Sequence, residues 1–307
     1  MLKRSLCLPQ SVNIQSGPVE TRWASGVEPS RHLFEVASRT LVTNESDGMN
    51  FHQMIDVRLN PASLSFDYGS GVFGPQCEFR RIDDIRSSLL DPQCCGPDPV
   101  YAIAMDVGRI SHRDELRRRR LLFGVVAYAS GKLGKEFVHS QGHVHAISRH
   151  CRCSTPELLE IWQGSAIVYM QETAEDDPGR CFAVEAEPGG KVVIPPGWAH
   201  CVINVDPGEV MVFGAWCVRD YGFDYRAIRA HGGLAWFPLL DESRGVKWER
   251  NPTYEVGSLV KKHAREYPEL SVWREVPIYE QFSRNPESVQ WISNPAKVAS
   301  TWERFEP

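Results

Sequence analysis

The middle of the chain shows a strand-like alternation of apolar and polar positions. From about residue 131 to 225, short apolar runs are separated by turns rich in glycine, proline and aspartate. The clearest runs are 165–171, 181–187, 191–200 and 210–218. Short strands at near-regular spacing are typical of an antiparallel sandwich or barrel. The pattern therefore predicts an all-β core.

Upstream of this core, the pattern becomes strand-like from about residue 51. Apolar residues at near-helical spacing predict a short helix over 80–90, and β-branched and aromatic runs predict strands over 99–107 and 121–130. The more polar tail predicts a helix over 259–267 and short, proline-broken helices over 277–295.

These patterns suggest three parts. We expect an N-terminal extension over 1–50, where no strong period occurs, and a β domain with its N-terminal strands over 51–240. A partly helical C-terminal extension is expected over 241–307. A length of 307 residues suits one large domain or two modest ones.

Composition narrows the class of protein. Apolar residues make up 42% of the chain and charged residues 24%, enough for a sizeable core, which argues against a disordered chain. The net charge of −5 argues against broad nucleic-acid binding, and the basic block 117–120 is expected to be a solvated edge. No apolar stretch is long enough for a membrane span.

The cysteines point to a compartment. Their number, nine, is odd and no CxxC pair occurs, which favours free thiols in a reducing environment. The first ten residues hold too few apolar positions for a signal sequence. We therefore expect a soluble cytoplasmic protein.

Three histidines lie in the predicted strands. His143 and His145 are two residues apart, so both side chains point to one face of an extended strand and can hold one metal ion. His200 follows a Pro-Gly turn in another apolar strand. A lone histidine in such a strand is usually a hydrogen-bonded core residue, but the combination favours a metal site.

The spacing around these histidines resembles the two motifs of the cupins. Gly189, Pro195, Gly197, His200 and Asn204 fit the second motif without a gap. His143, His145, Glu157 and Gly164 fit the first, except that eleven residues separate His145 from Glu157 and Phe137 stands where a glycine is expected. The resemblance implies a cupin fold, a double-stranded β-helix or jelly-roll barrel. It also implies a metal site formed by His143, His145, Glu157 and His200.

Other side chains compete for the ligand positions. Glu160 would not fit the motif, would face away from Glu157 in a strand, and is expected to be a surface charge. His139 is about four strand positions from His143, and His150 lies in the inserted loop, so neither is favoured as a ligand.

Residues 75–230 resemble the cupin-type phosphoglucose isomerases more closely. The segments that carry this resemblance are 132–145, 155–164, 187–204 and 219–228. It implies a sugar-phosphate aldose–ketose isomerase, and the interconversion of glucose 6-phosphate and fructose 6-phosphate is the first expectation. It also implies a homodimer. It favours Fe(II), although mixed His and carboxylate ligation also suits Mn(II), Ni(II) and Zn(II).

The resemblance assigns roles to individual residues. Glu157 is the implied catalytic base as well as a ligand. Ser140 and the backbone N–H of Gly142 are placed where the family contacts the substrate phosphate. Lys135 is a further phosphate-binding candidate because of its charge.

The chain departs from the family at two positions. Phe223 stands where the family has a histidine with a proton-transfer role, and a family tyrosine is replaced by Trp216 or Cys217. Phenylalanine cannot carry a proton, so Tyr225, His139 or a water takes this role, or the reaction differs. The alternatives are another keto-sugar isomerase or epimerase, an iron dioxygenase, or a non-catalytic sugar-binding cupin.

The inserted loop, 146–154, borders the predicted ligands and contains Cys151 and Cys153. Two thiols could belong to a second metal site. With no CxxC pair beside them, we expect free loop thiols.

Overall fold

Short strands form most of the regular structure. The computed structural model describes residues 49–50, 55–241, 243, 245–255 and 257–307, so the predicted 1–50 extension lies almost wholly outside it. The strands up to the first histidine pair are β1 (Met49–Asn50), β2 (Val57–Asn60), β3 (Ser65–Tyr68), β4 (Val72–Phe73), β5 (Glu78–Arg80), β6 (Tyr101–Met105), β7 (Gly108–Arg109), β8 (Leu121–Tyr128), β9 (Lys132–Leu133), β10 (Glu136–His139) and β11 (Val144–His145).

The remaining strands continue through the predicted core and into the tail. They are β12 (Glu157–Gln163), β13 (Ala166–Gln171), β14 (Cys181–Ala186), β15 (Lys191–Ile194), β16 (Ala199–Asn204), β17 (Met211–Val218), β18 (Phe223–Asp224), β19 (Trp236–Asp241), β20 (Gly245–Arg250) and β21 (Leu259–His263).

The helices are short. The α-helices are α1 (Ile82–Ile85), α2 (Arg113–Arg118), α3 (Arg226–Ala230), α4 (Ile278–Arg284) and α5 (Ala299–Trp302). Single 3-10 turns occur at Arg86–Ser88, Ile110–His112, Pro268–Leu270, Pro286–Val289 and Pro295–Val298. Within the described residues, no helix is long and apolar enough to cross a bilayer.

Two large sheets make up the core. One has the strand order β20-β19-β10-β16-β13-β14-β21, with β9 beside β10, and the other has the order β15-β12-β17-β8-β6-β5. The pairs are antiparallel except for β14 and β21, which are parallel. This architecture confirms the predicted all-β core and the cupin barrel.

Alternation along the strands separates an interior from two outer faces. Leu159 and Val192 of one sheet share the interior cluster with Val168 and Val202 of the other. Neighbouring residues point outward, and both outer faces are covered by other parts of the chain. Phe123 and Trp216 pack beneath the C-terminal residues, whereas Tyr169 and Phe137 pack beneath residues 228–259.

The upstream elements agree with the pattern of the sequence. The predicted helix over 80–90 is present as α1 and a 3-10 turn, and the strands expected over 99–107 and 121–130 are β6 and β8. The proline-broken helices over 277–295 are α4 and the turn that follows it.

The predicted helix over 259–267 was wrong. Leu259–His263 is strand β21, which pairs with the free edge of β14 through the register Cys181↔Leu259 to Glu185↔His263. Main-chain pairing with an open sheet edge outweighs the weak helical preference of a short polar segment. The domain boundaries at 50 and 240 stay predictions.

The C-terminal residues complete the outer face of the six-stranded sheet. Tyr279 of α4 stacks on Trp216 of β17, with ring centroids 5.4 Å apart, and Trp216 Nε1 donates a hydrogen bond to the Ile278 carbonyl over 3.1 Å. Phe305 is fully buried in the same cluster. The tail is therefore an integral part of the hydrophobic core.

Candidate metal centre

Strand pairing brings the three motif histidines together. His143 and His200 are antiparallel bridge partners, and each amide donates to the other's carbonyl over 3.0 Å. His145 lies two residues further on, in β11, and pairs with Phe223 of β18. Glu157 is the first residue of β12 and faces the same space. The backbone therefore delivers all four side chains to one end of the barrel.

The four side chains form one compact cluster. One potential ligand atom from each of His143, His145, Glu157 and His200 lies within 4.8 Å of the others. The Glu157 Oε2 atom is 3.3 Å from His145 Nε2 and 3.4 Å from His200 Nε2. The ring centroids of His143 and His200 are 4.3 Å apart. Three imidazoles and one carboxylate are thus directed at a common point.

Electrostatics favour deprotonated ligands at most of these positions. Burial opposes the ionised form of Glu157, but the adjacent imidazoles outweigh this and hold the pKa of the carboxyl far below its ordinary value. Burial lowers the pKa values of His143 and His200, so both are neutral at pH 7. Burial also acts against the charged form of His145, yet the neighbouring Glu157 carboxylate raises the His145 pKa.

The tautomers and the orphaned nitrogens fit a metal ion. The Nδ1 atoms of His145 and His200 face the carbonyls of Thr155 and Trp198 at 2.8 and 3.2 Å, so both must donate. This leaves the Nε2 atoms as lone-pair donors, and those of all three histidines are buried without a hydrogen-bond partner. Buried polar atoms without partners are costly. A divalent cation at this point would satisfy all three.

A small cavity lies beside the cluster. Its volume is about 60 Å³, and its polar walls come from His143, Glu157 and His200 of the cluster, together with Ser140, Cys217 and three tyrosines. The rest of the lining is mostly apolar: Ile103, Met105, Val126, Val202, Phe213, Ala215 and Phe223. Glu157 is the acidic residue in this lining, and no lysine or arginine of the described chain contributes to it.

Phe223 and Tyr225 form one wall of the cavity. The Phe223 ring lies 4.3 Å from the His143 ring, between centroids, in an edge-to-face arrangement. The Tyr225 ring is 6.0 Å from His143, and the Arg229 guanidinium lies over its outer face at 5.0 Å. Burial raises the pKa of Tyr225, so it remains a neutral hydroxyl. On this wall of the cavity, Tyr225 therefore offers a hydroxyl that can donate a proton, whereas the Phe223 ring offers no such group.

The structure distinguishes the two candidates for the lost family tyrosine. Trp216 points outward and is buried beneath the C-terminal helix. Cys217 lines the cavity, and burial raises the pKa of its thiol well above the ordinary value. Cys217 is therefore the residue at the site.

The predicted phosphate-binding residues are divided between two places. Ser140 is buried at the cavity wall, where its Oγ accepts a hydrogen bond from the Val202 amide over 3.2 Å. Gly142 has a φ of +83°, and a Cβ there would lie 2.8 Å from Leu234, so a side chain would fit poorly. Lys135 is exposed and lines a separate surface pocket with Lys132. The structure does not bring Lys135 to the metal centre.

The expectation that Glu160 is a surface charge was wrong. Glu160 does face away from Glu157, but it is 2% exposed and its Oε1 lies 3.0 Å from Lys191 Nζ. Lys191 is equally buried. The outer face of this sheet is covered by the C-terminal residues, so a charge directed outward is enclosed and needs a partner.

His139 is also paired elsewhere. Its Nε2 lies 3.1 Å from Glu136 Oε1, and its Nδ1 donates to the Ser140 carbonyl over 2.8 Å. Both residues are buried. His150 lies exposed in the inserted loop. Neither histidine belongs to the cluster of four.

The His139–Glu136 pair predicts a pH dependence of stability. Burial acts against protonation of His139, but the Glu136 carboxylate and the Ser140 carbonyl raise its pKa above 6.5. Protonation therefore stabilises the folded state below pH 6.5, and this contribution is lost as the pH rises through the folded pKa. We expect the difference in unfolding free energy between wild type and His139→Gln to be larger at about pH 5.5 than at about pH 8.5. Urea unfolding measures it, and a constant difference would contradict the assignment.

Sequence reasoning missed the apolar part of the cavity. Tyr101, Ile103 and Met105 alternate along β6, and Val126 and Tyr128 alternate along β8. The rings of Tyr101 and Tyr128 stack at 5.1 Å. This period of two was visible in the sequence, but both strands are largely apolar on both faces, so the pattern did not mark the inward side.

Comparison with known proteins identifies the family of this chain. The family profile described as glucose-6-phosphate isomerase matches residues 84–256. Glucose-6-phosphate isomerase of Thermococcus gammatolerans is 31% identical over 205 residues, covering 64% of this chain and 97% of the relative. That of Pyrococcus furiosus is 28% identical over 201 residues, with the same coverage.

Among solved structures, an oxalate oxidase matches with a TM-score of 0.30 and 16% identity, over 40% of this chain and 54% of that one. The profile match spans more than half of the chain, and the archaeal relatives are matched over nearly their full length. The chain belongs to the glucose-6-phosphate isomerase family.

Proposed function

We propose that this protein is a metal-dependent isomerase that interconverts glucose 6-phosphate and fructose 6-phosphate. The observation that carries the proposal is the cluster of His143, His145, Glu157 and His200, whose ligand atoms converge on one point. The named relatives support the reaction. Fe(II) is the proposed ion, and a homodimer in the cytoplasm is the proposed working form.

The reaction moves a hydrogen between C1 and C2 of the sugar. A divalent ion held by the four side chains would supply Lewis acidity that polarises the carbonyl. Glu157 is ionised and faces the cavity, so it can take a proton from one carbon and return it to the other. Tyr225 offers a neutral hydroxyl to a sugar oxygen on the same wall.

Phosphate recognition is proposed at the Ser140 side of the cavity. Ser140 lines the wall, and Gly142, two residues later, has a backbone conformation that only a glycine adopts easily. Lys135 is set apart from the cavity, so its proposed part would be limited to attraction of the phosphorylated sugar from solution.

A second candidate function follows from the lining. Phe223 stands against His143 where a proton carrier is expected, and much of the remaining wall is apolar. These features favour a reaction other than the isomerisation of a sugar phosphate. The candidate is a cupin metalloenzyme of another reaction, a keto-sugar epimerase or an iron dioxygenase.

Turnover of fructose 6-phosphate tests the proposal. The chelator-treated protein is reloaded anaerobically with Fe(II), and the sugar is followed by NMR. We expect glucose 6-phosphate to form with the reloaded protein and not with the metal-free protein. Full metal occupancy without product would contradict the proposal, and oxygen uptake on admission of air would favour the dioxygenase.

The Phe223→His variant sharpens the same assay. An imidazole on this wall would restore a group able to carry a proton, and general acid–base catalysis contributes roughly 10²–10⁴-fold. We expect kcat for fructose 6-phosphate to rise about a hundredfold. An unchanged kcat with bound metal would mean that Tyr225 or a water already carries the proton.

A further inference from the structure

The inserted loop holds two cysteines whose sulfur atoms are in contact. The Sγ atoms of Cys151 and Cys153 are 3.2 Å apart, and both residues are partly exposed. Arg152, between them, has a φ of +59°, a left-handed conformation that is uncommon for residues with a side chain. A disulfide bond is about 2.05 Å long, so the sulfurs need to approach by roughly 1 Å.

Ser148 holds this loop in its compact form. Its amide donates to the Cys153 carbonyl over 2.9 Å, and its carbonyl accepts from the Arg152 amide over 2.8 Å. Its hydroxyl donates to the Asp220 carboxylate at 2.9 Å and accepts from the His150 amide. The two thiols are therefore held close together by an ordered hydrogen-bond network.

The loop is joined directly to the metal centre. Ser154 follows Cys153, and its Oγ accepts a hydrogen bond from the Gly197 amide, three residues before His200. The next carbonyl, that of Thr155, accepts from His145 Nδ1 and orients that imidazole. A change in the backbone at Cys153 would reach two of the four ligand side chains through these contacts.

We propose that Cys151 and Cys153 form a reversible dithiol–disulfide pair that responds to hydrogen peroxide and adjusts the metal centre. The first part stands on the loop alone, and the second rests on the proposed metal site. In the reduced form both sulfurs are thiols and the loop keeps the geometry described here. In the oxidised form a ring that includes Arg152 closes, and the loop is displaced.

The chemistry balances with peroxide as the only oxidant. The Cys151 sulfur attacks one peroxide oxygen, the O–O bond breaks, and the other oxygen leaves as water. The Cys153 sulfur then attacks the sulfenic sulfur, the S–O bond breaks, and a second water leaves. Two electrons pass from the sulfurs to the peroxide, and each thiol proton ends in water.

The thiols differ in a way that suits these two roles. Cys153 donates its S–H to the Cys151 sulfur. Burial, together with the neighbouring thiol, raises the pKa of Cys153 to about 11, so it stays protonated. Because the Cys151 sulfur accepts the S–H of Cys153, we assign Cys151 as the first nucleophile and Cys153 as the residue that resolves the sulfenic acid.

Tryptic mapping tests bond formation independently of activity. Trypsin cleaves after Arg149 and Arg152, which puts Cys151 in the peptide 150–152 and Cys153 in the peptide 153–180. After peroxide treatment of the intact metal-loaded protein and alkylation, we expect these peptides to be linked and to separate on addition of dithiothreitol. Intact mass should fall by about 2 Da, the two hydrogens of a two-electron oxidation.

The controls use single cysteine variants. Cys95→Ser removes an exposed thiol elsewhere and should leave the linked peptides unchanged. Cys151→Ser should abolish them. Two results would overturn the proposed dithiol–disulfide pair. One is sulfinic acid at either cysteine, and the other is the absence of a link between peptides 150–152 and 153–180 after the peroxide has been consumed.

A Co(II) titration followed by absorbance tests the link to the metal centre. Loss of a contact that orients a ligand usually weakens metal binding roughly 10- to 100-fold, so oxidation should raise the Kd for Co(II) by about this factor. The Cys151→Ser variant should show no change with peroxide. An unchanged Kd in the linked wild type would overturn the coupling.

The two proposals fail separately. A linked peptide in a protein that never converts fructose 6-phosphate would reject the isomerase and keep the dithiol pair. Conversion of fructose 6-phosphate without a linked peptide would reject the dithiol pair alone.

Discussion

Replacement of His200 by alanine is expected to abolish metal binding and to lower isomerase activity about a thousandfold, because Lewis-acid catalysis contributes several kcal/mol. His200 is 1% exposed, its Nε2 has no hydrogen-bond partner, and it lies 3.4 Å from Glu157. Metal content by mass spectrometry and fructose 6-phosphate turnover by NMR measure the two losses.

Two further variants separate the loss of a ligand from a loss of packing. His263→Ala changes a histidine whose side chain is 86% exposed on β21, and both metal content and turnover should stay at the wild-type level. If His200→Ala does not fold, Glu157→Gln serves, because it keeps the side-chain volume and removes the charge. Metal and turnover retained in both cluster variants would show that the cluster is not the metal site.

Replacement of Lys191 by methionine is expected to cost about 3–5 kcal/mol of unfolding free energy, the usual effect of leaving a buried charge without its partner. Lys191 Nζ lies 3.0 Å from Glu160 Oε1 and donates to the Arg274 carbonyl over 2.8 Å. Glu160 Oε2 in turn accepts from the Ile278 amide. Urea unfolding followed by tryptophan fluorescence measures the loss.

The pH dependence and a double variant identify the cause. Burial raises the pKa of Glu160 even with Lys191 present, and without it the carboxyl binds a proton more readily in the folded state. The loss of unfolding free energy caused by Lys191→Met should therefore shrink as the pH falls towards about 5. This pH is roughly one unit above the ordinary pKa of a carboxyl group. Glu160→Gln combined with Lys191→Met should recover most of the stability. A double variant as unstable as the single one would show that lost packing, not the unpaired carboxylate, causes the effect.

The cluster of four candidate ligands could be predicted partly from a local rule and partly from the family resemblance. His143 and His145 share a face through the period of two, whereas His200 and Glu157 were assigned through the resemblance to the cupin motifs. The pairing of strands cannot be deduced from the side-chain pattern. The bridge between His143 and His200, and hence the closeness of the ligand atoms, is a property of the barrel.

Other features depended on register or on distant partners. Trp216 and Cys217 could not be ranked from the sequence, because a shift of one residue exchanges the two faces of a strand. The burial of Glu160 required both Lys191 on the neighbouring strand and the C-terminal cover. The pairing of 259–263 with β14 was hidden because edge pairing uses main-chain groups, which leave little trace in side-chain patterns.

The position of the C-terminal residues affects how the protein is made. Phe123 and Trp216 belong to a cluster that also contains Ile278, Phe282 and Phe305. During synthesis from the N-terminus, the barrel strands leave the ribosome well before the residues that cover them. Until the chain has been translated as far as Phe305, these aromatic side chains lack their cover, and exposed apolar surface of this kind makes newly made chains prone to associate.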